Sequence, residues 1–364
     1  MQKGGIPLKI LHMADCHLDS VMEQHLPARI AKARRRELLL TFSTAISAAE
    51  REGATLVLIA GDLFDTPTPS SGALRYVLDC ISAHESMTFL YIEGNHDLGA
   101  LADTPLPENL LRVPAGKSEC FSFGDVKVYA AGFGVSEKTI ATFACKEEEK
   151  NILMLHGTLT TSRADAREEM ILRTVLDLKK IDYLALGHFH THTAMRLSRG
   201  GLACYAGTPE GRGFDETGKC GVILLDTDTM KADFLTTAQR TLHNVEVDVT
   251  GAVTLPEIEK RVNAAVASIP ECDMVRLSLT GEVEEHYLKQ PEQIKLLLDG
   301  RFYFVRIKDG IRLRMLPTVG DVSLRGEFVR RVLSDPSLSE EDKQRVLSYG
   351  LRALDGEMPE DITY

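Results

Sequence analysis

One pattern recurs along the chain: a short apolar run ends in a cluster of polar side chains. The clearest case is Met87–Ile92, which is followed by Gly94-Asn95-His96-Asp97. An apolar run rich in aromatic and branched residues is typical of a buried strand. Because sites in open α/β sheets form at the carboxyl ends of strands, this stretch predicts a functional site there.

The same pattern recurs at four other positions. These are Leu8–Met13 before Asp15 and His17, Thr55–Ala60 before Asp62, Asn151–Leu155 before His156, and Tyr183–Leu186 before His188 and His190. Between the strands, apolar residues at helical spacing predict helices over 26–52 and 72–84. This alternation predicts parallel strands with right-handed crossovers, so that the polar junctions meet at one sheet edge.

Weaker patterns complete the prediction for this part of the chain. A turn at Gly124-Asp125 between alternating segments predicts a hairpin. Residues 164–180 predict a helix with Leu176 and Leu178 on its buried side. Further short strands are predicted at 193–197, 202–205, 221–225 and 232–235. The predicted class is α/β, with two sheets flanked by helices.

The pattern changes near residue 240. Alternating strands and helices over 245–307 are enough for a small α+β domain, and two helices follow at 324–333 and 339–354. We therefore predict a site-bearing domain over residues 1–240, an α+β domain over 241–320 and a helical segment over 321–364.

Composition narrows the class of protein. With 364 residues, 44% hydrophobic and 26% charged, the chain has the composition of an ordinary soluble globular protein. Its net charge of −11 argues against a protein that coats nucleic acid by bulk electrostatics. A nuclease stays open, because local basic patches and bound cations can set the field where a phosphate enters. The basic residues of the first helix, among them Arg34, predict either a solvated face or a contact with a phosphate backbone.

Cysteine usage and hydropathy predict the compartment. The seven cysteines are odd in number and scattered, which is typical of reduced thiols. No apolar stretch is long enough for a signal peptide or a membrane span. We expect a soluble, cytoplasmic protein that does not bind a membrane.

The polar junctions supply metal ligands. Imidazole and carboxylate groups suit borderline or hard divalent metals. Seven residues offer them or an amide oxygen: Asp15, His17, Asp62, Asn95, His156, His188 and His190. Asp62 stands alone after a central strand and could bridge two ions roughly 3.5–4 Å apart. A single histidine is more often structural, but this many strand-end junctions together favour a metal site.

The ordered blocks resemble a known signature. Asp15-x-His17, Gly61-Asp62, Gly94-Asn95-His96-Asp97, His156-Gly157 and Gly187-His188-Phe189-His190 are similar to those of the calcineurin-like metallophosphoesterases. The block Gly207–Glu216, with Gly218 and Gly221 after it, resembles SbcD-type nuclease subunits, the bacterial counterparts of the double-strand-break repair nuclease. The resemblance implies a two-sheet αββα sandwich, followed by a small capping domain that would match residues 241–320.

The resemblance also implies a role for each site residue. It places Asp15, His17, Asp62 and His190 on a first ion, and Asp62, Asn95, His156 and His188 on a second. His96 would orient the phosphate and protonate the leaving oxygen, and Asp97 would orient His96. Manganese is the expected metal, and the ligands also admit iron, zinc, cobalt or magnesium. Asp65 takes the position of a catalytic histidine in some relatives, and its role is open. Whether His192 makes a hydrogen bond in the outer shell of the site is also open.

The activity implied is metal-assisted phosphodiester hydrolysis of DNA, by a homodimeric subunit that works with an SMC-like coiled-coil ATPase. One alternative is a small-molecule phosphatase or cyclic-nucleotide phosphodiesterase. Another is a DNA-end-binding scaffold with secondary hydrolytic activity. The carboxy-terminal helices would either bind the ATPase or pack on their own domain through apolar residues: Phe328, Val329, Val332, Leu333, Val346, Leu347 and Leu351.

Overall fold

The computed structural model describes residues 8–22, 26–162, 170–283, 297–313 and 322–354. The chain divides into two compact units, Met1–Leu242 and His243–Tyr364. The elements of the first unit are β1 (Lys9–Met13), α1 (Ala28–Arg51), β2 (Ala54–Ala60), α2 (Ser71–Ala83), β3 (Thr88–Ile92), β4 (Leu110–Val113), β5 (Ser118–Phe123), β6 (Val126–Ala131), α3 (Glu137–Ala141), β7 (Lys150–His156), β8 (Thr158–Thr160), β9 (Met170–Leu172), α4 (Arg173–Asp177), β10 (Tyr183–Gly187), β11 (Thr193–Arg196), β12 (Leu202–Tyr205), β13 (Gly221–Asp226) and β14 (Lys231–Thr236).

Two six-stranded sheets form the first unit. The first has the order β14-β13-β1-β2-β3-β4, in which β1 to β4 are parallel. Parallel pairing was predicted for β1 to β3, whereas no strand was predicted at β4. Its central strand β2 is buried on both faces except at Thr55, which explains its nearly continuous apolar sequence. The late strand β13 returns to pair antiparallel with β1, placing Asp226 opposite Lys9.

The second sheet has the order β11-β12-β10-β7-β6-β5 and includes the predicted hairpin of β5 and β6. Residues from both sheets share one buried cluster, which includes Leu58 and Leu90 from the first sheet and Val128 and Met154 from the second. Helix α1 contacts β1 and β2, and α2 contacts α1. On the second sheet, Ile140 of α3 and Leu176 of α4 join a second buried cluster. The predicted α/β class, two sheets flanked by helices, is confirmed.

The helix predicted over residues 164–180 is present only over Arg173–Asp177 in the described part of the chain, and it is wrong for Met170–Leu172. Residues 163–169 lie outside the described part of the chain. Met170–Leu172 is the strand β9, because it pairs in parallel with β8. Helix α4 then covers only five residues and ends at Asp177, so that Leu178 is 81% exposed rather than buried. Strand pairing overrides helical periodicity here.

The second unit mixes strands and helices. Its elements are β15 (Leu242–Asp248), α5 (Leu255–Val266), β16 (Met274–Thr280), β17 (Glu282–Val283), β18 (Phe304–Asp309), β19 (Arg312–Leu313), α6 (Leu324–Ser334) and α7 (Glu340–Leu354). Strands β15, β16 and β18 form one sheet. Most of a helix predicted at 291–298 lies outside the described residues.

The carboxy-terminal helices contribute to the core of the second unit. Val329, Val332, Leu347 and Leu351 are buried in the same cluster as Leu277 of β16. For these four residues the structure favours packing on their own unit over presentation to a partner.

The structure also bears on three predictions made from the sequence, which concern the cysteines, membrane spans and Arg34. All seven cysteines are unpaired. Among the described helices, none has both the length and the hydropathy needed to cross a bilayer. Arg34 fits neither interpretation of the basic residues, because it is completely buried and donates a hydrogen bond to the backbone carbonyl of Gly211.

Candidate metal centre

The strand ends bring the predicted site residues into one place. Strands of both sheets contribute: Asp15 and His17 follow β1, Asp62 follows β2, Asn95 and His96 follow β3, His156 ends β7, and His188 and His190 follow β10. Each of the eight has a contact with another member of the set, as the distances below show. Their roles as ligands or as a catalytic acid stay predictions.

The backbone at the site is strained. Asp15, His17, Asp62 and His188 have φ angles of 51°, 42°, 52° and 105°. Such angles are uncommon for residues other than glycine and cost on the order of 1–3 kcal/mol each. At Asp15 and His17, this backbone conformation accompanies hydrogen bonds to the end of β2. The N–H groups of these residues donate to the carbonyls of Gly61 and Asp62 at 3.1 and 3.0 Å, which binds the segment to the end of β2.

On one side of the centre, His17 and His190 face each other. Their Nε2 atoms lie 3.1 Å apart. The Nδ1 atom of each ring lies next to a carboxylate, 2.8 Å from Asp65 for His17 and 2.7 Å from Glu216 for His190. Such carboxylates fix the tautomer and the orientation of a ligating imidazole. We call His17, His190, Asp65 and Glu216 the carboxylate-held half of the centre.

Arg212 joins the two carboxylates of this half. Its Nη1 atom donates to Asp65 at 2.9 Å and its Nη2 atom to Glu216 at 2.7 Å. Its backbone N–H also donates to Glu216, at 2.7 Å. The sequence assigned no role to Arg212 or Glu216. Both residues lie in the block Gly207–Glu216, which indicated a family resemblance but did not indicate that these two side chains contact the site.

On the other side, His156 is held by the main chain. Its Nδ1 atom lies 2.8 Å from the carbonyl oxygen of Ala60, to which it can donate. Its Nε2 atom lies 3.0 Å from Asn95 Oδ1. The His188 ring lies edge-on to the His156 ring, with centroids 5.4 Å apart. We call His156, Asn95 and His188 the main-chain-held half.

Glycines make room for this half. A Cβ atom at Gly61 would lie 2.2 Å from His156 Nδ1, and one at Gly94 would lie 2.1 Å from Asp62 Oδ1. Gly61 also has a φ of +88°, which L side chains rarely adopt. The glycines of the Gly-Asp and Gly-Asn blocks are therefore needed for the close approach of the site residues.

Asp62 lies between the two halves. Its Oδ2 atom is 3.3 Å from His156 Nε2 and 3.6 Å from His17 Nε2. Its Oδ1 atom accepts a hydrogen bond from the backbone N–H of His96 at 2.9 Å. This is the position that a bridging carboxylate requires.

The two buried carboxylates differ in their electrostatics. Burial, together with the nearby charge of Asp62, raises the pKa of Asp15 to about 6. Burial also opposes the charge on Asp62, but hydrogen bonds and charges from His156 and His17 hold the pKa of Asp62 well below its usual range. A cation bound beside Asp15 would stabilise its buried negative charge.

The imidazoles differ too. Burial lowers the pKa of His17 to about 4, which leaves that ring neutral and able to act as a ligand at neutral pH. Burial opposes the charge on His156, yet the hydrogen bond and charge of Asp62 raise the pKa of His156 to about 9. Since metal ligands must be deprotonated, cation binding at His156 is expected to release a proton.

His96 differs from the other site residues because its side chain is exposed. Its ring meets the buried His17 ring edge-on at a centroid distance of 4.8 Å. An exposed imidazole at the border of the centre can reach a substrate and transfer a proton.

Two neighbouring residues have structural contacts. Asp97 accepts hydrogen bonds from Leu63 N–H, Tyr91 O–H and Gly94 N–H at 2.7, 2.6 and 2.8 Å. Among the described hydrogen bonds to its carboxylate, none comes from the His96 ring, so Asp97 fastens the strand-end loops instead. His192 lies 2.9 Å from the carbonyl of Tyr205 and stacks on a phenylalanine ring.

The donor set fits two cations. Three groups of carboxylate and imidazole atoms, all in the first unit, each lie within 4.8 Å of one another: Asp15, His17 and His190; His17, Asp65 and His96; and Asp15, Asp62 and His156. Two nitrogen ligands about 2.1 Å from one cation lie about 3 Å apart, close to the separation of the Nε2 atoms of His17 and His190. The groups overlap in Asp15 and His17, as expected where two ions share one centre.

Comparisons with known proteins identify the family of the chain. A model of the calcineurin-like phosphoesterase family matches residues 8–192. An uncharacterised metallophosphoesterase of Bacillus subtilis, YhaO, is 28% identical over 310 residues, which cover 78% of this chain and 74% of the relative.

A DNA repair protein and a nuclease subunit are also similar. The DNA double-strand break repair protein Mre11 of Saccharolobus solfataricus is 26% identical over 242 residues, or 60% of each chain. The SbcD component of the nuclease SbcCD from Staphylococcus saprophyticus is 29% identical over 93 residues, which cover 25% of this chain and 23% of the relative. The aligned part is thus less than two thirds of either of these two relatives. Because the family match spans half of the chain, the chain belongs to the calcineurin-like phosphoesterase family, whose members use a dinuclear metal site.

Proposed function

We propose that this protein hydrolyses phosphodiester bonds in DNA in a reaction that depends on two divalent cations, with Mn²⁺ as the native metal. One observation carries the proposal. The exposed His96 lies against a centre of buried carboxylates and imidazoles whose atoms are spaced for two cations. Bound there, the cations would lower the pKa of water and neutralise charge on a phosphate.

We assign the ligands by halves. Asp15, His17 and His190 hold one ion, and Asn95, His156 and His188 hold the other. Asp62, which lies between His17 and His156, belongs to both. The buried Asp15 further orders the centre by accepting the N–H of His188 at 2.9 Å, which joins the loops after β1 and β10.

We assign His96 the protonation of the leaving oxygen. Its backbone N–H is fixed by Asp62 while its ring remains exposed, so that the ring can meet a substrate without disturbing the ligands. General acid help of this kind contributes about 10²–10⁴-fold to a rate.

DNA is the proposed substrate because the chain is similar to Mre11 and to the SbcD component of SbcCD. The net charge of −11 makes bound cations the natural source of attraction for a polyanion. We also propose an SMC-like coiled-coil ATPase as partner and a homodimer as the assembly. Val346 and Tyr349 of α7, which are 38% and 47% exposed, are available to such a partner, and Val346→Glu should reduce co-purification with it.

The test is Mn²⁺-dependent degradation of end-labelled linear DNA, with bis(p-nitrophenyl) phosphate assayed in parallel. His96→Ala should lower DNA cleavage about 10²–10⁴-fold while Mn²⁺ binding is unchanged. His192→Gln is the matched control, since the contacts described for that ring lie away from the ligands. It should keep full activity.

Other outcomes lead to different conclusions. Cleavage of the small diester alone would overturn the nuclease and favour a small-molecule phosphodiesterase. DNA binding without cleavage of either substrate would favour an end-binding scaffold. Loss of Mn²⁺ binding in His96→Ala would make His96 a ligand rather than an acid.

A further inference from the structure

The 207–216 segment, Gly207–Glu216, is anchored in the interior of the first unit. Glu210 is buried and accepts hydrogen bonds from Thr41 at 2.8 Å and from the completely buried Arg34. Arg34 also donates to the carbonyl of Gly211 at 2.7 Å. These contacts join Arg34 and Thr41 of α1 to Glu210 and Gly211, and they therefore fix the position of this end of the segment on α1.

The other end of the segment contacts the imidazoles. Glu216 is 4% exposed at its side chain and lies 2.7 Å from His190 Nδ1. It accepts hydrogen bonds from three donors of Arg212, namely the backbone N–H, Nε and Nη2. The guanidinium of Arg212 reaches across to Asp65, which in turn lies beside His17. A guanidinium is suited to this because its planar fork can bind two carboxylates in fixed directions.

The described side-chain contacts that Arg212 and Glu216 make with the centre lie in its carboxylate-held half. The carboxylates next to Arg212 lie beside the Nδ1 atoms of His17 and His190, whereas the Nδ1 atom of His156 lies beside a backbone carbonyl. A change at Arg212 or Glu216 therefore acts on two imidazoles and leaves the orientation of the third in place.

We propose that Arg212, Asp65 and Glu216 form a clamp that positions His17 and His190 and so sets the affinity of the centre for one of its two cations. Arg212 and Glu216 are positioning residues, because they act through the imidazoles. The proposal rests on the proposed function only in that cations bind at these imidazoles, and it does not depend on the substrate.

The test is calorimetric titration of the full chain with Mn²⁺ alone. The wild type should bind two ions. Glu216→Gln, which keeps the side-chain shape and removes the charge, should weaken one ion about 10–100-fold and leave the other unchanged. Arg212→Lys, which keeps the charge and loses the fork, should do the same. Asp65→Asn is a second variant on a more exposed side chain, should Glu216→Gln fail to fold.

Arg112→Lys is the matched control. Arg112 pairs with Glu93, and the two side chains are 16% and 3% exposed, close to the 17% and 4% of Arg212 and Glu216. It should leave both Mn²⁺ affinities unchanged, which separates the clamp from a general effect of replacing a mostly buried, carboxylate-paired guanidinium.

A second readout is metal rescue. Raising Mn²⁺ should restore DNA cleavage in Glu216→Gln, because the weakened ion then binds again. Equal weakening of both ions, no weakening of either, or a wild type that binds fewer than two ions would overturn the clamp. A wild type that binds two ions and does not cleave DNA would overturn the proposed function alone.

Discussion

The two halves of the centre are built by different means. In the carboxylate-held half, side chains orient the rings of His17 and His190, and Arg212 joins those side chains. In the main-chain-held half, the carbonyl of Ala60 orients His156 and glycines provide the space around it. The orientation of His156 is thus tied to the position of β2, whereas the orientation of His17 and His190 depends on residues that can be exchanged singly.

The difference predicts where the centre tolerates change. Because the Nδ1 atom of His156 contacts a backbone carbonyl, the orientation of this ring should be sensitive to added volume and should not depend on a charged outer side chain. The carboxylate-held half has the opposite sensitivity, because its outer contacts are made by the charged side chains of Asp65, Glu216 and Arg212.

The largest effect is expected from Gly61→Ala. A Cβ atom there would clash with His156, and the positive φ adds strain. Displacing a site residue by about 1 Å can cost about 10²-fold in rate. We expect loss of the ion at His156 with the ion at His17 retained, measured by Mn²⁺ titration and DNA cleavage.

Gly53→Ala is its control, since Gly53 has a similar φ of +84° and open space around it. It isolates the strain from the clash. Retention of both ions in Gly61→Ala would show that His156 can move away from β2 without losing its ion. That result would contradict the proposed sensitivity of the main-chain-held half to added volume.

An intermediate effect is expected in the carboxylate-held half. Asp65→Asn should weaken one Mn²⁺ ion about 10-fold. Because Arg212 joins Asp65 to Glu216, the double variant with Glu216→Gln should fall short of the sum of the single changes by at least about 0.5 kcal/mol. Strict additivity in the titrations would show that Arg212 does not couple the two carboxylates.

The smallest effect on the centre is expected from Tyr91→Phe. This removes one of the four described hydrogen bonds that Asp97 accepts, which come from Leu63, Phe64, Tyr91 and Gly94, and it should lower the free energy of unfolding by about 1–3 kcal/mol. The remaining N–H donors keep the loops after β2 and β3 together, so both ions should still bind. Thermal unfolding and Mn²⁺ titration measure the two consequences, and loss of either ion would contradict this account of Asp97.

Much of the fold and of the composition of the centre follows from local sequence. Strands such as β2 and β3 are predictable because their apolar runs are continuous, and their polar ends fall at one sheet edge because the strands are parallel. Asp15 and His188 follow strands of different sheets, so their contact depends on the packing of the two sheets and not on one shared sheet edge.

Other features depend on contacts that the local sequence does not contain. The positive φ of Asp15 and His17 accompanies hydrogen bonds to the end of β2. The clamp depends on the return of the 207–216 segment to α1, and Asp97 turns toward Leu63 rather than His96 because that N–H lies within reach. In β9, pairing with β8 outweighs the helical spacing that includes Leu178.

The return of β13 to β1 bears on how the chain can be divided. The family match ends at residue 192, yet β1, which leads into Asp15 and His17, is flanked by β2 on one side and by residues 221–226 on the other. A chain cut at residue 192 would therefore present β1 as an open, apolar edge able to pair with another molecule. The smallest portion able to carry this centre without self-association thus extends beyond the family match, through β13 and its neighbour β14.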